Sequence, residues 1–204
     1  MPRADARDQI LTCACRLFAD GGFAGTSMRA LAKAARTSQA LIHHHFGTKR
    51  GLYQAVREHL VDRLAEVELI TPVEAAVAND PAVNIADAMS RYAAFLRDNP
   101  EYLRLVTWAR LEGDDAPWAN PHEILEPLLG ALRSLQEAGV LRPDLDLGLH
   151  MAMVGGIVEH WVVNAAALTR NFAPDLDVEA ATRRHFDQAA RVIAHGTLPS
   201  SETP

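Results

Sequence analysis

The stretch that decides the fold is residues 26–52, TSMRALAKAARTSQALIHHHFGTKRGL. It contains two short runs with the apolar spacing of helices, and a polar turn joins them. A third helical run begins after Gly47-Thr48, with a lysine and an arginine at its start. Two short helices joined by a tight turn are typical of a helix-turn-helix, whose second helix enters the DNA major groove. The stretch therefore predicts a DNA-binding domain.

Hydroxyl side chains predict where these helices begin, because a side-chain oxygen can accept a hydrogen bond from a free N–H group at a helix start. Thr26 or Ser27 can cap the first helix of the stretch. Thr37 or Ser38 can cap the second, and Thr48 the third. The three helix starts are thus marked in the sequence, two of them with two candidates each.

Helical spacing continues on both sides of this stretch, and no strand pattern or repeat occurs. An apolar helix precedes it and ends at Gly21-Gly22, and the helix after Thr48 runs to about residue 70. Further helices are predicted near 82–98, 100–111, 121–138, 147–171 and 175–195. The predicted fold is all-α, with about nine helices. Its parts are an N-terminal three-helix helix-turn-helix domain (1–50, with a connecting helix at about 48–70), a helical domain (51–197) and a disordered tail (198–204).

Charge is distributed unevenly along the chain. Residues 1–59 contain nine lysines and arginines against four acids, a balance of +5, whereas the whole chain carries −6. Residues 60–204 therefore carry −11. A basic N-terminal part joined to an acidic remainder predicts that the N-terminal part binds a polyanion and that the remainder does not.

Other functional classes lack their sequence signals. No apolar run approaches the ~18–20 residues that span a bilayer, and the start MPRADARDQI has no signal-peptide core. We therefore expect a cytoplasmic protein with reduced cysteines and no membrane partner. The run His43–His45 cannot close on one metal ion, since neighbours on a helix point about 100° apart, and Cys13 and Cys15 lack a second cysteine pair. No phosphate loop or nucleophile motif occurs, so we expect no catalytic residue, cofactor or metal.

Residues 10–60 resemble the DNA-binding domain of TetR-type transcriptional regulators. That family has an apolar helix ending in LF-x-x-x-G, then T-[ST]-x-x-x-[IL]-A-x-x-A, and then S-x-x-x-[LI]-Y-x-[HY]-F-x-[ST]-K-x-x-L. The matching residues here are Leu17-Phe18, Gly22, Thr26-Ser27, Leu31-Ala32, Ala35, Ser38, Ile42, His44, Phe46, Thr48-Lys49 and Leu52. The match covers about a quarter of the chain. It implies that the remainder is an all-helical ligand-binding and dimerisation domain.

The chain departs from the family pattern at three positions. Arg36 stands where the turn usually has a glycine, so this residue must avoid a left-handed conformation or absorb strain. His43 stands where a tyrosine is common, so no phosphate contact can be carried over from a tyrosine hydroxyl. Gly47 replaces a proline or a similar residue before the cap.

The helix-turn-helix predicts which residues contact DNA. The first residues of a recognition helix face base edges, and here they are Ser38, Gln39, Ala40 and Leu41. Gln39 can bond adenine bidentately, and Ala40 and Leu41 can meet a thymine methyl group. The resemblance adds Arg29 as a base contact. The predicted phosphate contacts are Thr26 and Ser27 at one helix start, Lys49 at another, and His43 and His44.

Aromatic residues and methionines are concentrated in the remainder of the chain, which favours a mostly apolar cavity for a small hydrophobic effector. The TetR resemblance supports such a pocket. The candidate effector-binding residues are Tyr92, Phe95, Tyr102, Arg104, Trp108, Trp118, Met153, His160, Trp161 and Asn164.

The last two predicted helices favour dimerisation. Residues 147–169, LGLHMAMVGGIVEHWVVNAAALT, are apolar on more than one face, so this helix needs cover on two sides. By the TetR resemblance, two such helices from each chain form a four-helix interface. The candidate interface residues are Met151, Val154, Val158, Val162, Phe186, Ala190 and Ile193.

These features predict a homodimeric, ligand-responsive, sequence-specific DNA-binding regulator, which the family resemblance favours as a repressor. Twofold symmetry predicts a palindromic operator on double-stranded DNA, with half-sites one helical turn or more apart. Two alternatives stay open. One is a DNA-binding regulator without an effector, and the other is a helical protein-interaction module whose basic N-terminal part binds an acidic partner.

Overall fold

A computed structural model describes residues 6–70, 72–114 and 121–197. Within these ranges the chain forms ten α-helices and no strand. They are α1 (Ala6–Gly25), α2 (Met28–Ala34), α3 (Gln39–Phe46), α4 (Lys49–Ala65), α5 (Val73–Ala78), α6 (Pro81–Asp98), α7 (Pro100–Leu111), α8 (Pro121–Glu137), α9 (Leu147–Phe172) and α10 (Val178–Thr197). The all-α prediction is confirmed. The predicted disordered tail, residues 198–204, lies outside the described residues.

The chain divides into two compact units. The first, which we call the head, comprises Met1–Ala65 and Asn99–Pro121. The second, which we call the body, comprises Glu66–Asp98 and His122–Pro204. The head therefore contains α1–α4 together with α7, whereas the sequence led us to expect a head that ends near residue 50.

An apolar core holds the helices of the head together. Ile10, Ala14 and Phe18 of α1 are almost completely buried, and their spacing of four residues places them on one face of the helix. The other large members of this core are Leu11, Leu31, Ile42, Leu52, Tyr53, Val56, Leu60 and Leu105. Fully burying an aliphatic or aromatic side chain contributes about 1.5–3 kcal/mol, so this cluster is the main source of the head's stability.

Side-chain caps begin three helices of the head, α2, α3 and α4. The hydroxyls of Ser27, Ser38 and Thr48 accept hydrogen bonds from the backbone N–H groups three residues further on, at 3.1, 3.1 and 3.0 Å. Replacing such a cap by alanine typically costs about 1 kcal/mol. Of the two candidates at each of the first two helix starts, the later residue is the cap.

α1 is interrupted at Gly22, where φ is 69° and ψ is −179°. This conformation is almost restricted to glycine. The helix continues to Gly25, so it ends beyond the Gly21-Gly22 pair at which we placed its end. The hydroxyl of Thr26 closes the interruption, since its oxygen lies 2.8 Å from the carbonyl oxygen of Gly22 and 3.1 Å from that of Leu17.

α7 packs against α1 inside the head. Arg104 Nε and Trp108 Nε1 both donate to the carbonyl oxygen of Ala19, at 2.9 and 3.1 Å. Just after α7, the carboxylate of Glu112 accepts hydrogen bonds from the N–H groups of Phe23 and the next residue, at 3.1 and 2.9 Å. α7 thus holds the turn that leads into α2.

In the body, α6 packs against α9 and α10. The hydroxyl of Tyr92 donates to the carboxylate of Glu159 over 2.7 Å. The short α5 was not predicted, because six residues are too few to show a helical repeat. Its Ala76 is buried in a small apolar cluster with leucines that include Leu132 and Leu135 of α8.

Candidate nucleic-acid interface

The helix α3 has a buried side and an exposed side. Ile42 is completely buried in the core of the head. Gln39, Ala40, His43 and His44 are all exposed. At 100° per residue these four positions cover one continuous part of the helix surface. A short capped helix with polar side chains on its exposed side has the form that base recognition in the major groove requires.

The remaining predicted base contacts lie close by in the sequence but differ in exposure. The hydroxyl of Ser38 accepts from the N–H of Leu41, so the side chain of Ser38 serves the helix itself. Leu41 is half-buried. Arg29 is exposed on α2. The base contacts assigned to these residues remain predictions.

The side chain of Thr26, a predicted phosphate contact, lies inside the head, and the phosphate contact predicted at this helix start remains a prediction. Thr26 is 5% exposed, and its hydroxyl is used by the carbonyl groups of the α1 interruption. The sequence could not distinguish this inward hydroxyl from the exposed cap, because two adjacent hydroxyl residues precede α2. Ser27 is exposed, and it is the residue of this pair that lies at the protein surface.

His43 has one ring nitrogen engaged within the protein. Its Nδ1 lies 2.6 Å from the carbonyl oxygen of Gly47. Because a carbonyl oxygen only accepts, Nδ1 carries the proton and Nε2 is left for an outside partner. The bond also closes the end of α3, where Gly47 has a positive φ of 71°.

Arg36, in the turn between α2 and α3, has a φ of 51°. It is the one residue other than glycine with a positive φ in the part of the chain that the structure describes. A left-handed conformation costs an L-residue roughly 1–2 kcal/mol. The sequence allowed two possibilities for Arg36, a different backbone conformation or a strained left-handed one. The turn has the left-handed conformation, so its backbone absorbs the strain.

The start of α4 lies directly against the end of α3. A Cβ atom on Gly51 would collide with the backbone carbonyl of Phe46, so only glycine permits this approach. Lys49 is half-buried there, and its Nζ lies 4.3 Å from the ring centroid of Phe23. Sequence reasoning missed Phe23, because nothing in the local sequence links it to a lysine in a later helix.

The buried face of α4 contains a charge. Arg57 is 1% exposed, and its Nη1 lies 3.4 Å from the carboxylate of Asp114 after α7. A buried cation needs such a partner. Beside it, burial raises the pKa of the Tyr53 hydroxyl, which keeps that group neutral. The sequence signal for this buried charge is an arginine that lies between the apolar core positions Val56 and Leu60 of α4.

Three predicted effector-binding residues belong to the head. Tyr102 packs against the head core, and Arg104 and Trp108 donate to α1 as described above. Arg104 also forms an ion pair with Asp20 at 2.9 Å. The polar atoms of Arg104 and Trp108 are therefore used in attaching α7 to α1. Trp118 lies outside the described residues.

The other six predicted effector-binding residues lie in the body. Phe95 and Trp161 are buried, and the Trp161 ring stacks on His185 with centroids 4.0 Å apart. Tyr92 is half-buried on Glu159, whereas Met153 is 48% exposed. His160 is also exposed, and its carbonyl oxygen accepts from the side-chain amide of Asn164 at 2.9 Å. The structure brings some of these residues to the interior and others to the surface.

Polar atoms without partners mark positions in the body that sequence reasoning missed. Arg91 Nε and Nη2 are shielded from solvent and donate to no partner within the described part of the chain. His150 Nδ1 and Thr169 Oγ1 are also shielded from solvent and have no hydrogen-bond partner among the described residues. Because a guanidinium stays charged in proteins, shielding two of its nitrogen atoms from water without a partner is unfavourable. Arg91 is therefore a candidate for an acidic group on a ligand.

The predicted dimer residues need correction. Four of them are buried within their own protomer, so they have no surface to offer a second chain: Val158, Phe186, Ala190 and Ile193. Met151, Val154 and Val162 are half-buried. The apolar side chains that α9 and α10 expose are instead Leu149, Met153, Val163, Phe172, Val178 and Val192. A helix that is apolar on all sides gives no sequence signal for which side faces the core.

α9 is also long and apolar enough to cross a membrane, by length and composition alone. We expected no such segment in the sequence.

In the head, burial raises the pKa of the Cys15 thiol to about 12, and the nearby Glu101 adds to this shift. Among the described residues, no group of three or more histidine, cysteine or acidic side chains could hold a metal ion.

The geometry of the head defines a class of protein. Two short capped helices meet at a tight turn, the second exposes a polar face, and the next helix begins with basic residues beside it. This arrangement is that of a helix-turn-helix DNA-binding protein.

Comparison with known proteins identifies the family. Residues 10–56 match the family described as bacterial regulatory proteins, tetR family, and residues 84–191 match the tetracyclin repressor-like C-terminal domain. The chain belongs to the TetR family of transcriptional regulators. Members of this family bind DNA and small-molecule effectors and act as dimers.

Several relatives are similar over most of their length. The transcriptional repressor NicS of Pseudomonas putida is 26% identical over 83% of this chain and 82% of its own. The transcriptional repressor AcnR of Corynebacterium glutamicum is 26% identical over 90% and 95%. The crystal structure of a transcriptional regulator from Streptomyces coelicolor superposes with a TM-score of 0.71 at 26% identity, covering 95% of this chain and 98% of that one.

Proposed function

We propose that this regulator represses transcription by binding a palindromic operator as a homodimer, and that a small, largely apolar effector releases it. The observation that carries the proposal is the exposed polar side of the capped helix α3, with Gln39 and Ala40 at its start. Repression is supported by the relatives NicS and AcnR, both of which are named as repressors.

The protein makes two kinds of contact with the operator, one with base edges and one with phosphates. Gln39 and Ala40 contact base edges, where the amide of Gln39 suits adenine and the methyl group of Ala40 suits thymine. Lys49, at the start of α4, contacts phosphate, and the exposed His44 donates to phosphate from the far end of α3. Phosphate contacts fix the register of the protein and base contacts give its sequence preference.

The experiment begins with selection of operator sequences from random duplex DNA, followed by affinity measurements on the selected site. Lys49→Ala weakens binding to every sequence and lowers the slope of log affinity against log salt by about one. Gln39→Ala instead changes the base preferred at one position of each half-site. Failure to recover a palindrome, or an equal loss of sequence preference in both variants, would contradict the proposal.

The dimer forms through the exposed apolar side chains of α9 and α10. Leu149, Val163 and Val192 are 71%, 66% and 76% exposed in the protomer. Apolar side chains at such exposure on two neighbouring helices favour burial against a second protein surface. Twofold symmetry between the copies explains why the operator is a palindrome.

The effector binds in the body, where the apolar interior includes Phe95, Trp161 and the shielded guanidinium of Arg91. An apolar molecule that carries a carboxylate fits both features, since it buries apolar surface and pairs with the cation. A series of medium-chain carboxylic acids and their methyl esters tests this by release of the labelled operator. The acids release wild-type protein at lower concentration than the esters, and Arg91→Gln removes the difference. Equal potency of acid and ester on wild-type protein would refute the role of Arg91.

A further inference from the structure

The ring of Phe23 contacts two cations at once. Lys49 Nζ lies 4.3 Å from its centroid and Arg50 Cζ lies 4.2 Å from it. Both distances are within the range in which a cation is attracted to an aromatic ring. The two cations are consecutive residues at the start of α4. One aromatic ring therefore orders both positive charges at this helix start.

The ring itself is held from two sides. It packs on Tyr53 and Phe18, with centroids 5.2 and 6.3 Å away. The backbone N–H of Phe23 donates to Glu112, which fixes the turn that carries the ring. Phe23 is thus held in place by the head, and of the two cations that it contacts Lys49 is half-buried and Arg50 is exposed.

Arg50 has a second partner in the DNA-free protein. Its Nη1 lies 2.9 Å from the carboxylate of Asp114, just after α7. The side chain of Arg50 is 59% exposed, whereas that of Asp114 is 16% exposed and also contacts the buried Arg57. An ion pair with a largely exposed arginine is weak, so Arg50 can leave Asp114 while Asp114 keeps Arg57.

We propose that Arg50 is a second phosphate-binding residue of the operator interface, and that DNA phosphate replaces Asp114 as its partner. Phe23 acts as a positioning residue that holds Arg50 and Lys49 together at the start of α4. The inference rests on the proposed function, which assigns Lys49 to phosphate. A guanidinium forms two parallel hydrogen bonds with phosphate, which favours the exchange once DNA is present.

The exchange connects the segment after α7 to DNA affinity. While Asp114 holds Arg50, forming the phosphate contact requires breaking an ion pair. A change that withdraws Asp114 increases the affinity for DNA, and one that strengthens its contact with Arg50 decreases it. If Asp114 only stabilised the head, withdrawing it would decrease the affinity for DNA, whereas the exchange with phosphate predicts an increase.

The salt dependence of operator binding tests the role of Arg50. Arg50→Ala lowers affinity and reduces the slope of log affinity against log salt by about 0.9, the value for one phosphate contact. Arg63→Ala is the matched control, because it removes the same charge from an exposed position about 20 Å away on α4. It leaves the slope unchanged.

The outcomes separate this inference from the proposed function. If Lys49→Ala lowers the slope and Arg50→Ala behaves like Arg63→Ala, Arg50 is not a phosphate contact and the inference fails alone. If neither Lys49→Ala nor Arg50→Ala changes the slope, the start of α4 does not contact phosphate. In that case both the inference about Arg50 and the proposed role of Lys49 fail.

Two double-mutant cycles test the partners of Arg50. Asp114→Asn increases operator affinity several-fold, and this gain disappears in the Arg50→Ala background. A gain that persists there, or a loss of affinity in both backgrounds by variants that remain folded, overturns the exchange. Phe23→Leu keeps an apolar side chain but removes the ring. It weakens operator binding when introduced into the wild-type protein, and it has no effect on binding when Lys49 and Arg50 are both alanine. Thermal unfolding of each variant identifies those that lose affinity by unfolding.

Discussion

We expect Gly22→Ala to destabilise the head by about 3 kcal/mol. The backbone at Gly22, with φ 69° and ψ −179°, lies in a region where a side chain costs about 1–3 kcal/mol. A Cβ atom built there would lie 2.5 Å from Glu112 Oε1 and 2.9 Å from Trp108 Cε3. Glu112 would have to move, although it accepts two hydrogen bonds from the turn after Gly22.

The magnitude follows from three contributions. Backbone strain contributes about 2 kcal/mol. Weakening of the hydrogen bonds to the Glu112 carboxylate contributes about 2 kcal/mol more. Alanine restricts the unfolded chain more than glycine does, which offsets about 0.7 kcal/mol of this loss. The sum is close to 3 kcal/mol.

Gly25→Ala provides the matched control, since it makes the same chemical change three residues later in α1. Gly25 does not have a positive φ, and a Cβ there would meet no atom within 4 Å. Urea denaturation followed by circular dichroism at 222 nm measures both variants. We expect the control to stay within about 0.5 kcal/mol of the wild type. If Gly22→Ala loses no more stability than Gly25→Ala, the reasoning about the α1 interruption is wrong.

Three further predictions follow from other positions. Arg36→Gly relieves the left-handed strain and raises the free energy of unfolding by about 1 kcal/mol in urea denaturation, so a decrease would count against the strain. Burial lowers the pKa of His150, so as the pH falls the unfolded state binds the proton before the folded state does. The stability from this group is therefore complete above a pH of about 6.5 and decreases as the pH falls below that value. Equal melting temperatures at pH 7.5 and 5.5 would contradict this. Val163→Arg produces monomers in light scattering, whereas Val83→Arg, at a similarly exposed position on α6, leaves the dimer intact.

The sequence predicted helices best where local signals mark both of their ends. The predicted helix at 100–111 coincides with α7, because Asn99-Pro100 begins it and a glycine follows it closely. The capped helices α2 and α3 were predicted for the same reason. These signals lie within a few residues of the helix ends that they determine, so they can be recognised without the tertiary structure.

The parts that could not be predicted depend on distant contacts. Nothing near α7 indicates that it belongs to the head, because the hydrogen bond from Arg104 to Ala19 joins residues 85 positions apart. The support of Lys49 by Phe23 is likewise a tertiary contact. Thr26 and Ser27 have similar side chains, and only the path of α1 determines which of them is buried.

The inclusion of α7 in the head affects the order in which the protein folds during synthesis. The helices α1–α4 leave the ribosome first, but Glu112 and Asp114 follow residue 65 by almost fifty positions. At about 5–20 residues per second, this delay lasts roughly 2–10 s. During that interval Arg57 has no Asp114 to pair with, and the turn at Phe23 has no Glu112 carboxylate to hold it. A nascent chain therefore contains its recognition helix for several seconds before the head can complete its fold.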